Sequence, residues 1–413
     1  MLRHCPAVVI PLVLVATLTI SPLAAEPDHA TPPPAEIGFP EAVGLAATAP
    51  EVVGAQHGID LTRAAIEAAN HGWSPLAIRV MPQLAVGTPE GFGARIAVEQ
   101  AIPLTDRRGA TRASAAALTA QRIAEARARS FELRLAIGEA WIQSWIANAE
   151  RARARDALQI ALSIVELTTR GRAAGAFTQL ELAEVKTLAA EASATALDAE
   201  GRGTDAAFEL GAALGRGVPR SAGATLPEVV IPERVIPEVV ARLPEVRARR
   251  LAAISARTRG AEARTARAYE LIVGGELLAD PGGDRRGAVT LGITLPHDRG
   301  RRELLEARAE AARQDGEAEA IAARSSIAIG RAIHDIEHGR ELLALIDQEL
   351  LPALDDAARQ RKRAFELGEA TVLEVLAGER AALAGRRAAI EARAQHAWAR
   401  IQLALWLEDG GSL

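Results

Sequence analysis

Two stretches of this chain match each other at a fixed spacing. Residues 363–376 read RAFELGEATVLEVL, and residues 170–182 read RGRAAGAFTQLEL. Gly175 aligns with Gly368, Thr178 with Thr371, Leu180 with Leu373 and Glu181 with Glu374, and each pair is 193 apart (368 − 175 = 193). An internal repeat of this length means the chain builds one architecture twice, which constrains the fold more than any single element.

The same offset recurs at a change of period. Residues 78–87 and 94–104 carry partial alternation, with Ile96, Val98, Gln100 and Ile102 on one side and Arg95, Ala97, Glu99 and Ala101 on the other. Alternation of this kind predicts two-faced strands, and Thr88 to Gly93 is turn chemistry. The spacing therefore predicts a β-hairpin over 78–104. A second hairpin is predicted over 269–295, and Pro103 aligns with Pro296, again 193 apart (296 − 103 = 193). Pro50 and Pro244 open helical stretches before the hairpins, with one residue of slippage.

A long helical stretch follows each hairpin. The first, about 107–169, would be on the order of 90 Å long, which points to a coiled coil. Phe131, Leu135, Gly138, Ile142, Trp145 and Ala149 keep heptad spacing. Leu373, Leu376, Leu383, Ile390, Ala394, Ala397 and Ile401 do so later, with Arg380 and Arg387 on the same seam. Returning helices are expected over 178–215 and 371–407. The chain thus divides into residues 1–25, 26–49, a first repeat 50–216, a connector 217–243 and a second repeat 244–413. Residues 26–49 read as a flexible segment rich in Pro and Ala. The connector is proline-rich and reads as extended.

Residues 1–25 have a basic start, an apolar run from Val8 to Ile20 and Leu23-Ala24-Ala25, the pattern of a secretory signal peptide. About 13 apolar residues are short for a spanning helix, which needs roughly 20. No later stretch is apolar enough either, so a membrane passage would have to use strands. Only 3% of residues are aromatic, and the net charge is −5 over 413 residues. That balance argues against a nucleic-acid binder. The one cysteine, Cys5, excludes a disulfide framework or a cysteine metal site within the chain. No phosphate loop, nucleophile elbow or zinc-protease helix is present, so neither an enzyme nor a cofactor is expected.

Two hairpins give four strands, too few to close a membrane barrel, which starts at about eight. Several chains must then share one barrel, and three would supply twelve strands. Here the sequence resembles the TolC family of outer-membrane efflux ducts, through the order of elements, the repeat and the [FY]-x-x-G-x-x-T-x-L-[DE]-V-L motif at 365–376. The resemblance spans about Pro50 to Leu407. It implies a mixed α+β fold, with a long α-helical coiled-coil tunnel and two β-hairpins per chain in a shared twelve-stranded barrel. It implies a homotrimer in the cell outer membrane, its tunnel in the periplasm. The implied partners are outer-membrane lipid, a periplasmic adaptor (membrane fusion) protein and an inner-membrane pump. Residues 98–109 (VEQAIPLTDRRG) are similar to the CzcC-like branch, which implies an RND-type pump and heavy-metal cations as cargo. Organic toxicants and type I secretion remain alternatives within the family. A periplasmic coiled-coil scaffold without a channel is the alternative outside it.

Gly368 and Thr371 read as a helix reversal and a cap for the returning helix. They are either a purely structural turn or, as the resemblance implies, an adaptor-docking tip. Gly175 and Thr178 would match them, with Leu180 and Leu373 packing behind. The resemblance places Glu374 and Phe365 at the pore gate, with Glu181 as the counterpart in repeat one. Ala377 and Ala370 stand where the family carries a second acid and an arginine. Threefold symmetry would make Glu374 a carboxylate ring that favours cations, its members raising one another's pKa. The other reading is a solvated helix carboxylate. His334 and His338 share a helical face at metal-binding spacing, but the spacing is common by chance and no third ligand is evident.

Overall fold

The computed structural model describes residues 34–70, 76–85, 91–228, 238–267, 269–280, 284–295 and 300–411. The expected signal peptide, with Cys5, lies outside them. The scaffold is α3 (Arg107–Ala173), a single helix of 67 residues, about 100 Å at 1.5 Å per residue. It turns at its end into α4 (Gln179–Ala213), which runs back along it. In the second half the outgoing path is α7 (Arg301–Leu345), a π-helical turn over Ile346–Leu350 and α8 (Leu351–Glu366), and α9 (Val372–Gly411) returns. Pro352 explains the interruption. It has no N–H and would crowd the preceding turn, and the widened π turn just before it accommodates both.

Two shorter helices, α2 (Pro50–Asn70) and α6 (Pro244–Ala266), lead into the strands. Strands β2 (Leu76–Ala85), β3 (Gly91–Pro103), β5 (Glu270–Ala279) and β6 (Arg285–Thr294) form one antiparallel sheet in the order β2-β3-β5-β6. Strand β3 starts earlier than alternation suggested: Phe92 and Gly93, read as turn, pair with Leu84 and Gln83. The backbone ladder continues past the side-chain pattern.

Residues 34–49 do not form a flexible lead-in. Ala35–Ile37 (β1) pairs in parallel with Arg220–Ala222 (β4), and α1 (Phe39–Gly44) follows. The reason is an apolar seat on α3. Trp141 is 0% exposed, its indole N–H donates to Ile37 O at 2.9 Å, and Phe39 meets its ring edge-on at 5.5 Å. One turn on, Trp145 donates to Ala224 O at 2.9 Å and Asn148 to Ser221 Oγ at 2.7 Å, while the Ser144 hydroxyl accepts from Ala222 N at 3.0 Å. Four side chains on one face of α3 thus fix two strands. The connector also departs from expectation at its end, where Glu238–Arg242 forms a short helix, α5, before the buried Leu243.

The heptad seams are partly realised. Phe131, Ile142, Leu376, Ala394, Ala397 and Ile401 are buried, and Gly138 leaves room for Trp398, which an added Cβ would meet at 3.0 Å. Leu373 is exposed instead, and Val372 takes the buried place. The seam arginines are paired across helices: Arg380 with Glu191 of α4 at 2.9 Å, and Arg387 with Glu150 of α3 at 3.4 Å.

Trp141→Phe keeps an aromatic ring but removes one hydrogen bond, worth about 1 kcal/mol, and part of the buried indole volume, so it should cost more than the hydrogen bond alone. Trp141→Ala should cost about 3–5 kcal/mol. Thermal melting of the helical circular-dichroism signal should rank wild type, Phe and Ala in that order.

Candidate functional site: helix-reversal tips and a two-faced sheet

At both tips the chain reverses through a left-handed glycine, Gly175 (φ 80°) and Gly368 (φ 76°). Each closes its helix with a paired 6→1 and 5→2 hydrogen-bond set. Ala176 N donates to Gly171 O and Gly175 N to Arg172 O, both at 2.9 Å; Glu369 N donates to Ala364 O at 2.8 Å and Gly368 N to Phe365 O at 3.0 Å. A side chain other than glycine would be strained at either position.

Three residues on, each returning helix opens with a capping box. Glu181 accepts from Thr178 N at 2.7 Å and Thr178 Oγ1 at 2.8 Å, and donates its own N–H back to Thr178 Oγ1 at 3.2 Å. Glu374 repeats this with Thr371 at 2.7, 3.0 and 3.3 Å. The Thr178 backbone N–H and hydroxyl hold the Glu181 carboxyl below the usual carboxylate range, and Thr371 does the same for Glu374. Within one copy both are ionised caps. The sequence signal for this was present in both copies, as Thr-x-x-Glu.

Phe365 stacks on Phe177, with ring centroids 5.4 Å apart and planes 16° apart. This pair ties one tip to the other. Gly171 makes room for it, since an added Cβ would lie 2.4 Å from the Phe177 ring. Nothing in the local pattern pointed to Phe177. Beneath the stack, Ile164, Val185, Val372, Val375 and Leu376 form a small core joining α3, α4 and α9. Leu180 and Leu373 do not pack behind the tips. They are 68% and 46% exposed, because the neighbouring Leu182 and Val372 occupy the buried side.

His334 and His338 sit on the exposed side of α7 with parallel rings 6.0 Å apart, and Asp335 pairs with Arg331 at 3.8 Å. No group of three metal-capable side chains occurs among the described residues. Segment 98–109 serves as the joint between β3 and α3. Asp106 caps α3 by accepting from Gly109 N at 2.8 Å, and a Cβ on Gly109 would lie 2.1 Å from that carboxylate. Farther up, Glu245 of α6 is half-buried near Glu132 of α3, and burial first, then that carboxylate, pushes its pKa up.

The sheet has two unlike faces. Register places Ile78, Val98, Gly275 and Val289 in one row and Val80, Ile96, Leu277 and Gly287 in the next. The large apolar side chains in these rows are exposed. The other face carries cross-strand ion pairs, Arg79–Glu99 at 3.5 Å and Arg95–Glu276 at 2.5 Å. Strands of 10, 13, 10 and 10 residues are long enough for a tilted membrane strand, which needs about 9–11. Among the described residues, β2 and β6 each have one unpaired edge. No helix among the described residues is long and apolar enough to cross a membrane.

No protein-family model matches the chain, and no curated protein does. Solved structures do. A membrane protein from Pseudomonas aeruginosa superimposes with a TM-score of 0.73 at 20% identity, over 91% of each chain. The outer membrane protein VceC from Vibrio cholerae gives 0.72 at 16%, over 91% of this chain and 96% of that one. The MtrE outer membrane channel of Neisseria gonorrhoeae, in its open state, gives 0.72 at 18%, over 89% and 88%. The chain has the fold of these membrane proteins. A mostly helical chain with a few long antiparallel strands is what the resemblance to the TolC family implies for a single copy.

Thr178→Ala and Thr371→Ala should each cost about 1 kcal/mol, the usual loss of an N-cap. Both cap carboxyls have lowered folded-state pKa values. Their stabilisation is therefore complete above the unfolded value of about 4.3 and fades as pH falls through the folded one. The melting difference between wild type and the Glu181→Gln, Glu374→Gln double variant should shrink below about pH 4.

Proposed function

We propose that this protein is a passive homotrimeric channel in the outer membrane, the outermost part of a tripartite efflux system. The observation that carries this reading is the two-faced sheet. Its apolar face is exposed, its opposite face is polar, and its two edges are unpaired. Apolar outside and polar inside is the pattern of a membrane barrel wall. Unpaired edges are not tolerated in lipid, so the wall has to be completed by further strands. Three copies joined β6 to β2 give twelve strands. Uncovered helical seams favour the same ring. Ala190, Ala194, Leu197, Gly201, Thr204 and Phe208 keep heptad spacing along α4 and are exposed in one copy. A scaffold without a channel gives no reason for a sheet whose exposed face is apolar.

The periplasmic ends would be the two tips, where Gly175, Thr178, Leu180, Gly368, Thr371 and Leu373 meet the adaptor protein. The exposed Leu180 and Leu373 suit that role better than a packing one. Energy would come from an inner-membrane pump of the RND type. Glu374, with Glu181, would line the entrance as ionised carboxylates and favour cations. Phe365 acts there through its stack on Phe177. Heavy-metal cations are the cargo that the residue 98–109 similarity favours. Small organic toxicants are the second reading.

The protein should fractionate with outer membranes and size as a trimer in detergent. A soluble periplasmic monomer would overturn the channel reading. Glu374→Gln keeps a side chain able to complete the capping box while removing its charge. In planar bilayers it should reduce cation preference with conductance retained; an unchanged reversal potential would remove the carboxylates from the mechanism. Loss of the protein should sensitise cells to divalent metals more than to organic toxicants, and the reverse order would favour the second cargo.

A further inference from the structure

Backbone register sorts the strand charges onto one face of the sheet. Arg79 of β2, Arg95 and Glu99 of β3, Glu270 and Glu276 of β5 and Arg286 of β6 share the side opposite the exposed apolar rows. The other described strand residues on that side are uncharged. Each of the six has an opposite charge in reach. Arg95 meets Glu276 at 2.5 Å and Arg79 meets Glu99 at 3.5 Å, both across strands. Glu270 meets Arg107 at the start of α3 at 3.2 Å. At the turn end, Arg286 meets Asp284 at 3.5 Å and Asp280 at 3.9 Å. The carboxylate is the more covered member of both cross-strand pairs. Glu276 is 19% exposed against 41% for Arg95, and Glu99 27% against 63% for Arg79. Gly274 explains how Glu99 lies against the sheet. An added Cβ there would stand 3.0 Å from Glu99 Cγ, so the missing side chain leaves the carboxylate its place.

We infer that the Arg79–Glu99 and Arg95–Glu276 pairs cancel the charge of the barrel wall, which makes the lumen indifferent to the sign of its cargo and leaves charge preference to the tips. In a closed barrel this face lines the lumen. Opposite charges 2.5 to 3.5 Å apart act together as a dipole, whose potential fades faster with distance than that of one charge. A lone carboxylate on the wall is felt about one screening length away, about 10 Å at 0.1 M salt. Threefold symmetry turns every unpaired wall charge into a ring of one sign, and such rings select ions. Arg79 and Arg95 are therefore specificity-determining residues: each keeps a ring of glutamates from acting on the cargo. The tips are built differently. Glu181 and Glu374 are held by the neutral hydroxyl and backbone groups of Thr178 and Thr371, so their charge is not cancelled by the bonds that position them.

This inference rests on the channel reading, and the experiment separates the two. Reversal potentials are measured in planar bilayers under a gradient of dilute potassium chloride, on the order of 0.01 M, where the screening length is about 30 Å. Arg95→Gln leaves Glu276 unpaired and should shift the reversal potential toward cations. Glu276→Gln leaves Arg95 unpaired and should shift it toward anions. The double variant removes both charges and should return to the wild-type value, which damage to the fold does not produce. Arg79→Gln and Glu99→Gln should give the same two signs at the second pair. All the shifts should shrink near 1 M salt, where the screening length falls to about 3 Å. Single variants that leave the reversal potential unchanged or move it in one direction overturn the charge-cancelled wall, as does a double variant that keeps a single variant's shift. The channel reading then still stands on the conductance itself. A wild type without conductance overturns both.

Discussion

The structure depends on one unmet requirement, the backbone hydrogen bonds along the outer edges of β2 and β6. A sheet edge presents a row of N–H and C=O groups that must find partners wherever water is absent. Four strands cannot curve far enough to pair those edges with each other. The exposed apolar face adds to the demand, since water penalises it at about 25 cal/mol per Å². In the proposed channel both demands would be met together, by further strands that extend the sheet and by lipid in place of water on one side. The sheet would then set the assembly, and the helices would inherit its circumference.

Long helices are costly to hold in place unless their sides are packed along the whole length. This chain does it with small residues. Ala154, Ala196 and Ala199 join α3 to α4, and Ala253, Ala256 and Ala311 join α6 to α7. Such contacts bring backbones close but bury little area each, so charges supplement them. Glu150 is nearly buried on α3 and is held by Arg202 of α4 at 3.2 Å and Arg387 of α9 at 3.4 Å. A buried carboxylate without partners would be strongly destabilising. Two arginines from two helices turn that liability into a three-helix joint. The same logic explains why Arg387 occupies a seam that heptad spacing reserves for apolar residues.

What was legible in the sequence followed how local its cause was. Glycine reversals, threonine caps and alternating strands depend on neighbours within a few residues, and those features could be read off directly. The docking of residues 34–49 could not. It depends on Trp141 reaching Ile37, more than a hundred positions away, and a proline-rich composition hides the few apolar anchors, Ile37, Phe39 and Val43, that matter. The exchange of Leu373 for Val372 failed for a different reason. Heptad counting fixes spacing but not phase, and one residue of rotation moves a leucine from core to solvent. The Phe177–Phe365 stack joins residues in different halves, so no motif within either half contains it.

That stack and the caps together limit how the tips can move. Glu374 Oε2 takes both bonds from Thr371, so shifting this carboxylate away opens the capping box at the start of α9 and leaves the Thr371 N–H without its acceptor. Glu181 is bound in the same way to the start of α4. A motion that widens the space between tips is therefore least costly when each tip moves whole, with its glycine reversal and capping box intact. The contacts that must then give way are the ones between tips. They are the aromatic stack and the Val185, Val372 and Leu376 cluster beneath it, which are non-directional and can slide. Directional hydrogen bonds fix the shape of each tip, and the apolar stack and cluster, with the Arg380–Glu191 ion pair farther along α9 and α4, fix the distance between them.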